Sequence, residues 1–282
     1  MKILHKEILG QTEETRLTKI EVSAPDIAGR ALPGQFAVLM VSEQGERIPL
    51  TIVDCDKAKG IITFIFQEAG LTTKLLGKLN PGDSLYALAG PLGHPTEIKN
   101  YGRVILVGGG VGIAELYPVA KALKEAGNQV VTILGARTKE LLILEEELKS
   151  VSDELYVTTD DGSYGRKGFT TDILKEILNP RTREPENPRT NLVYAVGPIP
   201  MMRRCAAVTG GFKLKTLVSL NALMVDATGM CGCCRVEVGG KTKFSCVDGP
   251  EFDGHLVDWD GLTKRNAVYL EQEKHICNLM LK

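Results

Sequence analysis

Short alternating or apolar runs rich in Val, Ile, Phe and Thr dominate the first hundred residues. Turn signals such as Pro33-Gly34, Lys59-Gly60 and Pro81-Gly82 separate these runs. Short strands at this spacing are typical of a small antiparallel barrel. The predicted strands are residues 2–10, 16–23, 34–42, 46–54, 60–67 and 83–90, and one helix is predicted from Leu71 to Leu79.

From residue 103 onwards the pattern alternates between strand and helix. Arg103–Gly108 is a continuous apolar run of the kind found in buried parallel strands. The pattern predicts a doubly wound α/β domain with a parallel sheet. Its further strands are Gln129–Leu134, Glu154–Thr158 and Leu192–Val196, and its helices are Ile113–Ala126, Leu141–Lys149, Thr170–Leu178 and one from Pro200. The segment between Asn179 and Asn191 holds three prolines and three arginines and is predicted to be an exposed loop.

The most specific chemistry lies between residues 226 and 246. Asp226, Cys231, Cys234 and Cys246 follow the spacing D-x4-C-x2-C-x11-C. With cysteine in place of the aspartate, this is close to the C-x4-C-x2-C run of plant-type [2Fe–2S] proteins, which is followed by a distal cysteine. Because a carboxylate can also bind iron, the spacing predicts a [2Fe–2S] cluster held by three thiolates and one carboxylate.

Three other kinds of site fit these residues less well. A zinc site would want a second C-x2-C pair, and Cys246 stands by itself. A disulfide framework is disfavoured by the odd count of seven cysteines. Inert buried thiols would not explain Gly229 and Gly232, which indicate a backbone wrapped closely around something. The cluster is the favoured hypothesis and zinc is its main rival.

Composition narrows the class of protein. The chain of 282 residues is 43% hydrophobic, long enough for two domains and a small module. A net charge of −1 gives no sign of a nucleic-acid partner. The longest apolar stretch, Val104–Ala120, contains Glu115 and four glycines and is not expected to span a membrane. Met1–Glu7 lacks the apolar region of a signal peptide, so a cytoplasmic location with reduced thiols is expected.

A glycine-rich turn, Gly108–Gly112, follows the first strand of the α/β domain and opens a helix. That context suits a dinucleotide pyrophosphate held on helix N-terminal amides. The turn lacks the third glycine of G-x-G-x-x-G, and no lone acidic residue ends the next strand. A tight turn without a ligand therefore stays an alternative. Arg137 and Lys139, after the second strand, either meet a ribose phosphate or are solvated.

The three parts, in this order, resemble the ferredoxin–NADP⁺ reductase superfamily. Four segments carry the resemblance: Ile48–Thr51 stands at the R-x-Y-[ST] flavin motif, Glu68–Leu75 is similar to the segment at the flavin pyrophosphate, Gly90–Gly93 matches the G-P-x-G turn, and Gly197–Met202 matches G-P-x-x-M near the nicotinamide. The ending Cys246-Val-Asp-Gly-Pro250 resembles the branch that contains the electron-transfer subunit of dihydroorotate dehydrogenase.

Within that branch, Asp226 at the first ligand position is similar to the small (α) subunits of NADH-dependent ferredoxin–NADP⁺ oxidoreductases. These are bifurcating transhydrogenases, also described as sulfide dehydrogenase subunits. The resemblance implies a subunit that passes electrons between NAD(H), FAD and a [2Fe–2S] cluster to a large partner subunit carrying another FAD and [4Fe–4S] clusters, as a heterodimer. The alternatives are the electron-transfer subunit of dihydroorotate dehydrogenase and an iron–sulfur carrier or sensor without turnover.

The resemblance also implies domains and site residues. An FAD-binding barrel is expected at residues 1–98, an NAD(P)-binding domain at 99–216 and the cluster module with the C-terminal tail at 217–282. NAD(H) is expected over NADP(H), and no catalytic residue is predicted. The sequence departs from the superfamily at Ile48, where Arg47 lies one residue early, and at Glu115, where many relatives have proline. The implied FAD contacts are Arg47, Pro49, Leu50, Thr51, Ile65, Phe66, Gln67, Gly70, Thr72 and Thr73; the nicotinamide contacts are Gly109, Gly110, Val111, Gly112, Arg137, Gly197, Pro198 and Met201; the cluster ligands are Asp226, Cys231, Cys234 and Cys246.

Overall fold

The structure is a computed structural model that describes residues 1–179 and 189–280. Most of the loop predicted between Asn179 and Asn191 lies outside these residues. The strands are β1 (Ile3–Gln11), β2 (Arg16–Ser23), β3 (Phe36–Met40), β4 (Ile48–Thr51), β5 (Asp54–Asp56), β6 (Ile61–Gln67), β7 (Ala87–Leu92), β8 (Arg103–Gly109), β9 (Gln129–Ala136), β10 (Glu154–Thr159), β11 (Arg166–Lys167), β12 (Thr190–Val196), β13 (Thr216–Ser219), β14 (Arg235–Val238), β15 (Lys241–Phe244) and β16 (Glu251–Asp253).

The α-helices are α1 (Pro25–Ala28), α2 (Leu71–Lys78), α3 (Ile113–Glu125), α4 (Glu145–Ser150), α5 (Thr170–Leu178), α6 (Ile199–Gly210), α7 (Ser245–Asp248), α8 (Trp259–Asn266) and α9 (Leu270–Met280). They and the strands form two compact units. The first unit comprises Met1–Pro95, Ala222–Pro250 and Asp258–Lys282, and the second comprises Thr96–Asn221 and Glu251–Val257.

The barrel strands of the first unit form two antiparallel sheets around one core. Their orders are β1-β2-β6-β5 and β4-β3-β7. Alternation along the strands sends one set of side chains inward, and both sheets contribute to the same buried cluster, which includes Ile20, Leu39, Ile62, Phe64 and Leu88. The predicted antiparallel β architecture is confirmed.

The predicted single strand 46–54 is wrong. The structure has two short strands there, β4 and β5, which belong to different sheets. Ile52 and Val53, between them, are buried at 3% exposure each. The apolar run therefore continues through the corner where the chain leaves one sheet for the other, and hydrophobicity alone does not show that break.

The C-terminal part of the first unit was not predicted in detail. β14 and β15 form an antiparallel hairpin. Asp258 caps α8, because its Oδ1 accepts a hydrogen bond from the Gly261 N–H at 3.1 Å. α9 packs on α2, where the Lys74 ammonium donates to the buried Cys277 sulfur at 3.6 Å. The hairpin and α9 thus each pack on elements of the first unit.

The second unit is a seven-stranded sheet in the order β11-β10-β9-β8-β12-β13-β16. All neighbouring strands are parallel except β13 and β16. This confirms the predicted doubly wound domain. β8 is buried along its whole length and lies between β9 and β12, so the strand order reverses at β8. Ligands of such sheets bind outside the carboxyl ends of the strands at this reversal.

Within residues 1–179 and 189–280, the helices are all too short or too polar to cross a lipid bilayer.

Candidate functional site

The four predicted cluster ligands lie in two pairs. The sulfur atoms of Cys234 and Cys246 are 3.1 Å apart. Asp226 accepts a hydrogen bond from the Thr228 N–H at 3.0 Å and also interacts with Cys231. The Thr228 amide first, and then the Cys231 thiol, hold the pKa of Asp226 below its ordinary value, so its carboxylate is ready to act as an anionic ligand.

This pairing suits two metal ions better than one. A zinc ion takes four ligands at one centre, whereas each iron of a [2Fe–2S] cluster takes two protein ligands and two bridging sulfides. The arrangement therefore supports the cluster over zinc.

The backbone of the loop also fits an anionic cluster. Gly229 and Gly232 have φ values of 81° and 65°, which other residues rarely adopt. Amide groups point at ligand sulfurs: Cys233 N–H donates to Cys231 Sγ at 3.4 Å, and Cys246 N–H donates to Cys234 Sγ at 3.5 Å. Burial, and then the nearby Cys234, raise the pKa of Cys246 to about 12. Two sulfurs this close would both ionise only with a positive centre beside them, which iron would supply.

Two arginines outside the ligand set hold the turn from Cys231 to Cys234. Arg265 of α8 donates from Nη2 to the Cys233 carbonyl at 2.8 Å. Arg235 at the start of β14 donates from Nη1 to the Gly232 carbonyl at 3.0 Å. Spacing along the chain gave no sign of Arg265, because it lies on a helix 31 residues after Cys234.

A cavity of about 400 Å³ adjoins the ligand loop within the first unit. The Gly93 carbonyl at its wall accepts a hydrogen bond from Gln35 Nε2 at 2.8 Å, and His94 N–H donates to the Gly249 carbonyl at 2.7 Å. His94 is thus held at this turn by its own backbone amide, and Gln35 was not predicted. The cavity is lined by Pro91, Leu92, Gly93, His94, Ala227, Thr228, Cys246 and Val247.

The implied FAD contacts lie in two segments of the chain. One segment is β4 with Arg47 before it, and the other runs from β6 to the start of α2. Pro49, Leu50 and Thr51 are half-buried on β4, the edge strand of its sheet, and Arg47 before it is exposed. An edge strand leaves backbone and side chains open to a bound group. On β6, the Phe66 side chain belongs to the core, so only its main chain can face a ligand. Ile65 is buried, Gln67 half-buried and Gly70 exposed.

The N-terminus of α2 fits a phosphate. The Thr73 hydroxyl accepts hydrogen bonds from the amides of Ala69 at 3.0 Å and Gly70 at 3.1 Å. The Thr72 hydroxyl donates to the Glu46 carboxylate at 2.6 Å. An anionic oxygen of Glu46 therefore lies in the first turn of this helix, whose positive end favours negative charge.

The implied nicotinamide contacts meet at the carboxyl ends of β8 and β12. A Cβ on Gly109 would lie 2.5 Å from Met201 Sδ, and one on Gly112 would lie 2.9 Å from Gly197 Cα. The two glycine turns are therefore interleaved, which accounts for glycine at these positions. Val111 is half-buried, Pro198 precedes α6, and Gly110 faces open space. Arg137 is exposed directly after β9, the neighbour of β8 on the other side.

A pair of half-buried glutamates that share one tyrosine hydroxyl, not predicted from the sequence, lies in the second unit. The hydroxyl of fully buried Tyr194 lies 3.1 Å from Glu115 Oε1 and 3.0 Å from Glu251 Oε1, and Thr96 also donates to Glu251. Burial first, and Glu115 among the other causes, raise the pKa of Glu251 to about 7.

Comparison with known proteins supports both functional regions. A family model for the iron–sulfur cluster binding domain of dihydroorotate dehydrogenase B matches residues 221–258, and one for the oxidoreductase NAD-binding domain matches residues 106–207. An electron transfer subunit homolog of dihydroorotate dehydrogenase B (NAD⁺) from Thermotoga maritima is 51% identical over 253 residues, which are 90% of this chain and 87% of that protein.

The chain belongs to the family of dihydroorotate dehydrogenase B electron-transfer subunits and their homologues.

Solved structures agree with this family. The structure of an NADH-dependent reduced ferredoxin–NADP oxidoreductase, described for flavin-based electron bifurcation, is 47% identical, with a TM-score of 0.90, and covers 100% of this chain and 98% of that one. A ferredoxin–NADP⁺ reductase from Plasmodium falciparum, 13% identical with a TM-score of 0.58, covers 74% of this chain and 88% of that one and shares the fold.

These matches confirm two predictions for this member of the electron-transfer subunit family. It belongs to the ferredoxin–NADP⁺ reductase superfamily, and it is an NAD(P)H-dependent oxidoreductase subunit of the flavin and iron–sulfur class. The expected cofactors, FAD, NAD(H) and an iron–sulfur cluster, fit the matched domains and fold. Membership of an electron-transfer subunit family implies a catalytic partner subunit. The residue-level contacts stay predictions.

Proposed function

We propose that the chain is the electron-transfer subunit of a flavin-based, bifurcating NADH-dependent ferredoxin:NADP⁺ oxidoreductase. The observation that carries the proposal is Asp226, paired with Cys231 at the first ligand position of the cluster loop. The sequence departs from an all-cysteine ligand set at this one position. Identity of 47% over the whole chain to the bifurcating oxidoreductase structure supports the same assignment.

Each functional region has a defined task in this proposal. The positive N-terminal end of α2, where the Thr73 hydroxyl binds the Ala69 and Gly70 amides, and Arg47 hold the FAD pyrophosphate, and β4 lies along the flavin. The glycine turns after β8 and β12 hold the nicotinamide dinucleotide. Asp226, Cys231, Cys234 and Cys246 hold a [2Fe–2S] cluster. FAD links two-electron nicotinamide chemistry with one-electron iron–sulfur chemistry.

The proposal requires a partner that collects or supplies the electrons. We propose a large subunit that carries a second FAD and [4Fe–4S] clusters and forms a heterodimer with this chain. We propose a cytoplasmic location, because a reducing compartment keeps cysteine thiols available as cluster ligands.

A second candidate is the electron-transfer subunit of a dihydroorotate dehydrogenase. The 51% identity to the Thermotoga maritima homolog favours it. The two candidates differ in the partner subunit and its substrate, because one partner oxidises dihydroorotate and the other exchanges electrons with ferredoxin and NADP⁺.

Purification of the native complex from its source distinguishes them. The proposal expects a co-purified large subunit with [4Fe–4S] clusters and NADH-dependent reduction of NADP⁺ by reduced ferredoxin. Reduction of NAD⁺ by dihydroorotate in the purified complex, with no ferredoxin activity, would assign the second candidate. Bound zinc in place of iron and acid-labile sulfide would overturn both.

A further inference from the structure

We propose that Arg265 is a positioning residue that sets the reduction potential of the iron–sulfur centre held by the Cys231–Cys234 turn. The inference rests on the proposed cluster. Arg265 lies on α8, after the last of the four ligands along the chain.

The contact of Arg265 is directed at the turn itself. Its Nη2 donates to the carbonyl of Cys233, the residue directly before the ligand Cys234, at 2.8 Å. The next residue of α8, Asn266, accepts a hydrogen bond from the Leu223 amide at 3.2 Å. Two neighbouring residues at the end of α8 therefore bind the ligand loop at two points, Leu223 and Cys233. These bonds help to fix the positions of Cys231 and Cys234.

The guanidinium of Arg265 also contains one N–H group that has no hydrogen-bond acceptor among the described residues. Among the described residues, Arg265 Nε is buried and has no hydrogen-bond acceptor. A buried N–H without an acceptor is costly, so such a group usually has a partner in the functional state. A cluster with three thiolate ligands and one carboxylate ligand is anionic and offers sulfur acceptors beside this turn.

The charge of Arg265 has a predictable sign. Uptake of an electron adds one negative charge beside the turn, and a fixed positive charge stabilises that state more than the oxidised one. Arg265 should therefore raise the reduction potential.

Arg235 is the matched control within the same turn. It donates to the adjacent carbonyl, Gly232, at 3.0 Å, so it makes the same type of contact one residue earlier. Its side chain is exposed, whereas Arg265 is half-buried. Solvent and salt screen an exposed charge far more strongly. Loss of Arg235 should therefore move the potential less than loss of Arg265.

The test is a redox titration of the purified holoprotein, followed by electron paramagnetic resonance, for wild type, Arg265→Gln, Arg265→Lys and Arg235→Gln. The expected result is a more negative potential in Arg265→Gln, equivalent to on the order of a tenfold loss in the equilibrium constant for reduction. Arg265→Lys should recover most of the shift, and Arg235→Gln should show a smaller shift that disappears at high salt.

Three outcomes overturn the inference. They are an unchanged potential in Arg265→Gln, an equal shift in Arg235→Gln, and an Arg265→Lys variant that retains the cluster at the potential of Arg265→Gln. If Arg265→Gln loses the cluster, Arg265→Lys is compared with Arg235→Gln instead. A potential near that of wild type in Arg265→Lys supports the charge effect. A larger shift in Arg265→Lys than in Arg235→Gln refutes it. A wild-type protein with no [2Fe–2S] signal would instead refute the proposed function.

Discussion

Gly112→Ala should destabilise the second unit and weaken nicotinamide dinucleotide binding. Gly112 has φ −61° and ψ −18°, a helical conformation in which alanine is normally preferred over glycine by about 1 kcal/mol. Its Cβ would lie 2.8 Å from the Val196 carbonyl oxygen and 2.9 Å from the Gly197 amide nitrogen, whereas ordinary contact begins at 3.4 Å. These are backbone atoms, so they cannot rotate away.

Overpacking against a rigid neighbour costs about 1–3 kcal/mol, which exceeds or cancels the helical preference. We therefore expect a net loss of up to about 2 kcal/mol in the free energy of unfolding. The clash also pushes apart the two glycine turns that form the predicted nucleotide site. A displacement there should raise the dissociation constant for NADH by on the order of tenfold, which corresponds to about 1.4 kcal/mol.

The assay is urea denaturation together with calorimetric titration of NADH, and Gly211→Ala is the control. Gly211 has nearly the same backbone angles, φ −62° and ψ −21°, but a Cβ there would lie 3.5 Å from its nearest neighbour. Gly211→Ala should be neutral or slightly stabilising and should bind NADH as wild type does. If Gly112→Ala matches Gly211→Ala in both measurements, the interleaved turns are not rigid and the reasoning fails.

Glu251→Gln should change the pH dependence of stability. The pKa of Glu251 in the folded protein, about 7, exceeds its ordinary value of 4.5. Between these two pH values the native state therefore binds a proton at Glu251 that the unfolded chain releases. As pH rises through this range, the wild type loses up to about 3 kcal/mol of unfolding free energy. Urea denaturation at about pH 5 and pH 8 should show a smaller loss in the variant, and parallel profiles would contradict this. Asp226→Cys should keep the cluster with an altered potential and resonance spectrum, while Asp226→Ala weakens or loses it; unchanged signals in both would exclude Asp226 as a ligand. NADH should reduce the flavin faster than NADPH does, despite Arg137 after β9, and the reverse order in stopped-flow measurements would overturn that preference.

The sequence predicted elements well where one periodic pattern ends at a clear turn signal. The predicted strand 16–23 has the bounds of β2, and the helix predicted from Ile113 to Ala126 is α3, Ile113–Glu125. The helix predicted at 141–149 begins later, at Glu145. The apolar run Leu141–Leu144 follows a short 3₁₀ turn that ends at Leu141, and Leu144 has φ 54°. The helix then starts at three glutamates, which favour its positive end.

Elements defined by distant pairing could not be predicted. β16 reads Glu-Phe-Asp and has no strand pattern of its own, and it is a strand because Leu217 of β13 pairs with Asp253. This pairing brings the chain back to the sheet of the second unit directly after the cluster loop. It also places Glu251 beside Tyr194, which joins residues 57 positions apart. No local pattern carries that information.

The same distinction explains which parts of the cluster site were found. The ligands occupy 21 consecutive positions, so their spacing is visible along the chain. Their support comes from α8, whose Arg265 contacts the turn across 32 positions. Ligand identity follows from local chemistry, because iron requires thiolates or carboxylates at short spacing. The potential depends on charge and hydrogen bonding around those ligands, and these are supplied by whichever elements the fold packs there. A sequence can therefore indicate that the chain holds a cluster before it indicates at which potential the cluster works.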